Sequence, residues 1–178
     1  MFLAHRVPLE EVTRVFYDTA SLTSVSLLKV LLAERGLKVE FVPLPNYPDA
    51  PFHDAVLLIG DPAIQFLRSG HPHQIWDLGA AWVELTQLPF VYAVWVLRRG
   101  IDTASIRRAL RDAKAFGLET LDQIIRERSE HDYDFRRDYL SWHIHYHLGT
   151  DEKRGLARFG ELLRKHGLGP VHEPRFVS

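Results

Sequence analysis

The distribution of apolar and polar positions divides the chain into two regimes. In the first, extended and helical patterns alternate. Residues 13–17, TRVFY, are β-branched and aromatic and predict a short strand. A polar cluster, DTASLTS, follows. In VSLLKVLLAERG (25–36) the apolar residues then recur at helical spacing, and Gly36 is placed to cap the end of a helix. LKVEFVPL (37–44) resumes an extended pattern, PNYPDAP is a proline-rich loop, and AVLLIGD (55–61) is an unbroken apolar run of the kind found in a parallel strand buried on both faces. Asp61 is expected to cap the next helix, with Pro62 at its first position. SGHPHQ predicts a loop, WDLGAAWVELTQ (76–87) a helix with Asp77 near its start, and LPFVYAVWVLRRG (88–100) the most strand-like stretch of all.

The second regime begins after Gly100 and is helical. Segments 102–116, 118–130, 134–148 and 152–166 carry amphipathic patterns, with Asp102 and Thr103 suited to cap the first and Gly117 to separate it from the second. Strands alternating with helices, then helices alone, predict an α/β first part and a helical second part with an apolar face to cover.

Composition narrows the function classes. The 178 residues suit one domain or two small lobes, and 46% apolar content suffices for a real core. A formal charge of −1, with acids and bases interspersed, argues against nucleic-acid or anionic-membrane partners. With no cysteine, disulfides, thiolate catalysis and cysteine-based zinc sites are excluded. The apolar part of MFLAHRVPLEEV is too short for a secretory segment, and no apolar run reaches bilayer length, so a soluble, cytoplasmic protein is expected. P-loop, GxGxxG, GxSxG and HExxH patterns are missing.

Candidate chemistry concentrates at Asp18-Thr19-Ala20-Ser21-Leu22-Thr23-Ser24, where hydroxyls meet the free N–H groups and positive dipole end of a helix start. One cap needs one hydroxyl, and here there are four, which suits a carboxylate or phosphate; an ordinary N-cap is the plainer alternative. Gly60 and Asp61 close a buried strand at the end where α/β proteins place ligands. In WHIHYH, His143 and His147 would share a helix face, but no carboxylate stands at ligand spacing, so no metal site is assigned. Trp82, Trp95 and Trp142 read as core aromatics.

Taken together, DTASLTSVSLLKVLL, AVLLIGDPAI, WDLGAAWVELTQLPFVYAVWVLR, the ending YLSWHIHYHLGTDEKRGLARFGELL and the opening FLAHRVPLEEV resemble the chorismate dehydratases of menaquinone biosynthesis, over nearly the whole chain. The resemblance implies a type II periplasmic-binding-protein-like α/β fold, with residues 1–90 as the second, ligand-binding lobe. Residues 91–178 would then be a crossover strand and C-terminal helices of an incomplete first lobe. It implies a hydro-lyase that converts chorismate to 3-[(1-carboxyvinyl)oxy]benzoate in the futalosine pathway, with no metal or organic cofactor. By similarity, Ser21, Thr23 and Ser24 would hold substrate oxygens, with Gly60 and Asp61 lining the cleft; no catalytic base can be named. Family members carry a longer N-terminal region that contributes an asparagine and a serine-containing turn. The expectation is therefore a truncated reading frame, a fragment, or a chain that works with a separate N-terminal piece or self-associates. A non-catalytic small-carboxylate binding protein of the same fold and an inactive fragment are the alternatives.

Overall fold

The computed structural model describes residues 1–177. Five short strands form one sheet: β1 (Phe2–His5), β2 (Arg14–Tyr17), β3 (Glu40–Pro43), β4 (Ala55–Leu58) and β5 (Gln74–Asp77), in the order β3-β2-β4-β1-β5. β2 pairs in parallel with β3 and with β4, whereas β1 is antiparallel to both β4 and β5. Helix α1 (Leu22–Glu34) follows β2, α2 (Gly60–Arg68) follows β4, and α3 (Leu78–Thr86) follows β5. Among the described residues, four further α-helices follow: α4 (Ala104–Glu119), α5 (Leu121–Glu127), α6 (Tyr133–Asp138) and α7 (Thr150–Lys165).

The central strands are covered on both faces, and their two-residue side-chain period divides the core accordingly. From β1 and β4, Leu3, Ala55 and Leu57 join a cluster with Leu28 and Leu31 of α1, Trp82 of α3 and Phe159 of α7. Phe2, Ala4, Val56 and Leu58 point the other way, against Ala50, Ala63 and Phe66. This accounts for the unbroken apolar run of β4. Helix α1 buries Val25, Leu27, Leu28, Val30, Leu31 and Leu32, because it lies between the sheet and the helices α3 and α7 and has little surface left for water.

Two compact units result: Met1–Ala93 together with the chain from Gly149 onward, and Val94–Leu148. In the first, α7 closes over α1 and α3. Phe159 meets Trp82 edge-on at 5.8 Å and Phe90 at 5.1 Å. The second unit is helical, with α5 touching α4 and α6, and Arg136 Nε donating to the carbonyl of Ile125 at 3.0 Å.

Several expectations are corrected. Residues 88–98 form no strand: a strand exists through its ladder, and no strand among the described residues forms one with them. Phe90 still packs against Trp82 and Phe159, but residues 92–96 are exposed, Trp95 at 67% and Val96 at 83%. Trp142 is likewise exposed, at 75%, so of the three tryptophans read as core only Trp82 is buried. β5 arises where a loop and a helix start were expected, because Gln74–Asp77 finds the free edge of β1. α4 runs through Gly117, at the modest cost glycine imposes on a helix. The WHIHYH segment leaves the helical path: a π-turn, Tyr139–His143, is followed by extended backbone at Ile144 (φ −104°, ψ 121°), so His143 and His147 share no helix face. Among the described residues, no group of three His, Asp or Glu side chains could hold a metal ion.

Candidate functional site

Parallel pairing places the carboxyl ends of β2, β3 and β4 along one edge of the sheet. Tyr17 stands opposite Pro43 on one side and Leu57 on the other. The chain leaves β2 toward β3 on one flank and returns to β4 on the other, so a switch of direction falls between β2 and β4. The connections leaving these strands, 18–21, 44–54 and the single residue Ile59, gather there, next to the N-termini of α1 and α2.

Each predicted residue can be placed at this edge. Ser21 is the N-cap of α1: its backbone is extended (φ −135°, ψ 101°), and its Oγ accepts from the N–H of Ser24 at 3.2 Å. The two hydroxyls lie 2.8 Å apart. If the Ser24 hydroxyl donates, Ser21 Oγ accepts twice and its own proton is left to point outward. That assignment fits the burial, since Ser24 is buried and Ser21 only half-buried. Thr23, also half-buried, occupies the first turn, where the N–H groups of Leu22 and Thr23 precede the first helical bond from Val25 N–H to Ser21 O.

Gly60 opens α2 with φ of 57°, a left-handed conformation that glycine adopts without strain, and a Cβ built there would meet nothing within 4 Å. The backbone faces open space. The cap position is held by Ile59, so Asp61 is not the cap; it stands exposed in the first turn, its charge favoured by the helix dipole. Pro62, expected at the first helical position, lies two residues later. Asp77, by contrast, caps α3, accepting from Ala80 N–H at 2.8 Å.

At this edge the sequence names Asp18 only as part of the cluster and does not single out Tyr47. Asp18, the first residue beyond β2, is buried; its N–H donates to Leu57 O at 3.3 Å and its Oδ1 accepts from Ala20 N–H at 2.8 Å. Its Oδ2 accepts from the hydroxyl of Tyr47 at 3.0 Å, and this bond raises the Tyr47 pKa. Tyr47 lies in the proline-rich connection, where Arg6 donates to Pro51 O and His53 stacks on Phe16 at 3.6 Å. Its ring borders a shallow hollow beside α2, together with Pro48, Leu58, Pro62, Gln65 and Ser69. Asp18 was visible in the motif, but nothing local pointed to a partner 29 residues away.

A mixed sheet covered on both faces, with polar turns gathered at the carboxyl edge of its parallel strands, defines an α/β protein of the class that meets small ligands at that edge. A sequence model of the family described as menaquinone biosynthesis matches residues 1–165, and the chain belongs to that family. It is 32% identical over 180 aligned residues to a chorismate dehydratase from Thermus thermophilus; the match covers 90% of this chain and 66% of the length of that protein. No helix among the described residues is long and apolar enough to cross a membrane.

Proposed function

We propose that the chain binds chorismate at the carboxyl edge of β2 and β4 and acts as a hydro-lyase, giving 3-[(1-carboxyvinyl)oxy]benzoate in the futalosine route to menaquinone. The similarity to a chorismate dehydratase over 90% of the chain carries this reading. The local chemistry agrees with it: chorismate bears two carboxylates, and a helix start with an outward hydroxyl, free N–H groups and a neighbouring open glycine is a natural clamp for one of them.

In this reading residues 1–90 form the ligand-binding lobe of a periplasmic-binding-protein-like fold and the protein works in the cytoplasm. The alternation of parallel strands with covering helices favours such a lobe. Ser21 donates its hydroxyl proton to a substrate oxygen, Thr23 offers its first-turn N–H and hydroxyl, and Ser24 holds Ser21 in place. Gly60 lets the substrate approach the backbone, and Asp61 lines the cleft. The reaction removes a ring proton and the ring hydroxyl as water, and aromatisation drives it. The protein therefore contributes chiefly by positioning and by stabilising charge.

Incubation with chorismate, followed by ultraviolet absorbance, tests the proposal. Turnover above a protein-free control, weakened about tenfold or more by Ser21→Ala with Thr23→Val, is the expected result. Thermal stabilisation by chorismate without turnover would reduce the function to carboxylate binding. Neither effect would leave an inactive fragment.

A further inference from the structure

Asp18 is a buried carboxylate in the very turn proposed to receive an anion, and a bare negative charge there would oppose binding. Every polar atom of Asp18 for which a bond is described is turned toward protein. Its N–H ties it to β4, Oδ1 to the Ala20 N–H of its own turn, and Oδ2 to Tyr47 from the β3–β4 connection. Asp18 thus joins its own turn to strand β4 and to the β3–β4 connection. The hydroxyl of Tyr47 comes from a segment that is itself fastened, by Arg6 to Pro51 and by His53 on Phe16. Tyr47, 46% exposed, borders the hollow beside α2.

We infer that Tyr47 and Asp18 are positioning residues for the carboxylate ligand. Tyr47 holds the Asp18 charge against protein donors, so that the turn of residues 18–24 presents donors and not a carboxylate to an incoming anion. This rests on the site proposed above. Without the Tyr47 hydroxyl, Oδ2 loses its donor and the Asp18 charge is free to swing toward the ligand. The resulting repulsion is electrostatic, weakens with salt, and vanishes when Asp18 carries no charge.

The test is calorimetric titration of the full chain with chorismate at about 50 mM and about 300 mM NaCl, a range over which the screening length falls by roughly half. Tyr47→Phe is expected to weaken binding about tenfold at low salt and about threefold at high salt. Asp18→Asn should bind chorismate at least as tightly as the wild type, and Tyr47→Phe should add nothing in the Asp18→Asn background. An equal loss at both salts, persisting with Asp18→Asn, would mean that Tyr47 matters only for folding and overturns the inference; so would unchanged binding by Tyr47→Phe. If Tyr47→Phe does not fold, weakened binding by Asp18→Asn alone overturns it. A wild type that does not bind chorismate removes the site itself and this inference with it, whereas binding by the wild type with unaltered variants leaves the site standing.

Discussion

Gly155, in the second turn of α7, lies directly against the carbonyl of Pro89. A Cβ at this position would overlap the Pro89 oxygen, and Leu88 stands behind it. The terminal helix can approach the chain leaving α3 only because that side chain is missing, and the approach brings Phe159 onto Trp82.

Gly155→Ala therefore reverses the usual sign. In an exposed helix interior the change stabilises by up to about 1 kcal/mol. Here backbone would have to yield to backbone, and a loss of about 2–3 kcal/mol is expected. Urea unfolding of the variant should show a lower midpoint with an unchanged slope. A variant more stable than the wild type would show that α7 does not seat where described.

The far end of α7 is fastened by charge. Glu34, at the end of α1, accepts from Lys165 at 2.7 Å and lies 2.5 Å from the ring Nε2 of His166. The hydrogen bond from Lys165, followed by that from His166, holds the Glu34 carboxyl below its usual value of 4.5. A depressed carboxylate pKa contributes stability that is present above the unfolded value and is lost as pH falls through the folded one. Glu34→Gln should cost about 1–2 kcal/mol near pH 7, and the difference from wild type should close as pH falls below the usual 4.5 and through the lowered folded value. A difference independent of pH would assign the effect to packing.

His73 should act with the opposite electrostatics but the same direction in pH. It is buried, edge-on to Phe66 at 5.3 Å, and its Nε2 bonds to the carbonyl of His53 at 2.7 Å. Burial lowers its pKa from 6.5, against the opposing pull of that carbonyl; Arg6 and His71 lower it further, and Asp54 raises it. The folded state thus favours the neutral ring, and the unfolded chain takes up the proton first. Stability contributed by this residue is complete above about pH 6.5 and declines as pH falls through the folded value. His73→Gln should flatten the decline of stability as pH falls below 6.5, measured by thermal melts at each pH. A variant profile as steep as that of the wild type would place the titration elsewhere.

The sequence was legible where local pattern and tertiary context agree. The apolar run of residues 55–58 reads as a doubly covered strand because its neighbours on both faces come from the same chain. Asp77 reads near a helix start because its carboxylate accepts from the N–H three residues on. Residues 88–98 misled for the converse reason: β-propensity describes a surface suited to a sheet, and among the described residues no sheet edge meets it. β5 was hidden because a single apolar pair, Ile75 and Trp76, sits between polar ends, and only the free edge of β1 makes it a strand. At the candidate site, the hydroxyl cluster and glycine turn were visible as composition. The Tyr47–Asp18 bond was not, since its two ends are joined by topology alone.

The run from Val91 to Leu97, exposed over residues 92–96, carries the last prediction. It is uncharged, free of glycine and proline, rich in β-branched and aromatic residues, and partnered by no strand among the described residues. Such a segment satisfies its backbone either with water or with another strand, and its exposed Val94, Trp95 and Val96 favour the second. At micromolar concentration the chain should elute in light-scattering chromatography as a species larger than 20.6 kDa and should bind a hydrophobic dye. Replacing Val94 and Val96 with lysine places like charges along the run, and should reduce both signals at an unchanged melting temperature, because neither side chain is buried. A wild-type chain that is monomeric, monodisperse and silent toward the dye would show that this stretch is content in water, and the self-association expected of it would have to be abandoned.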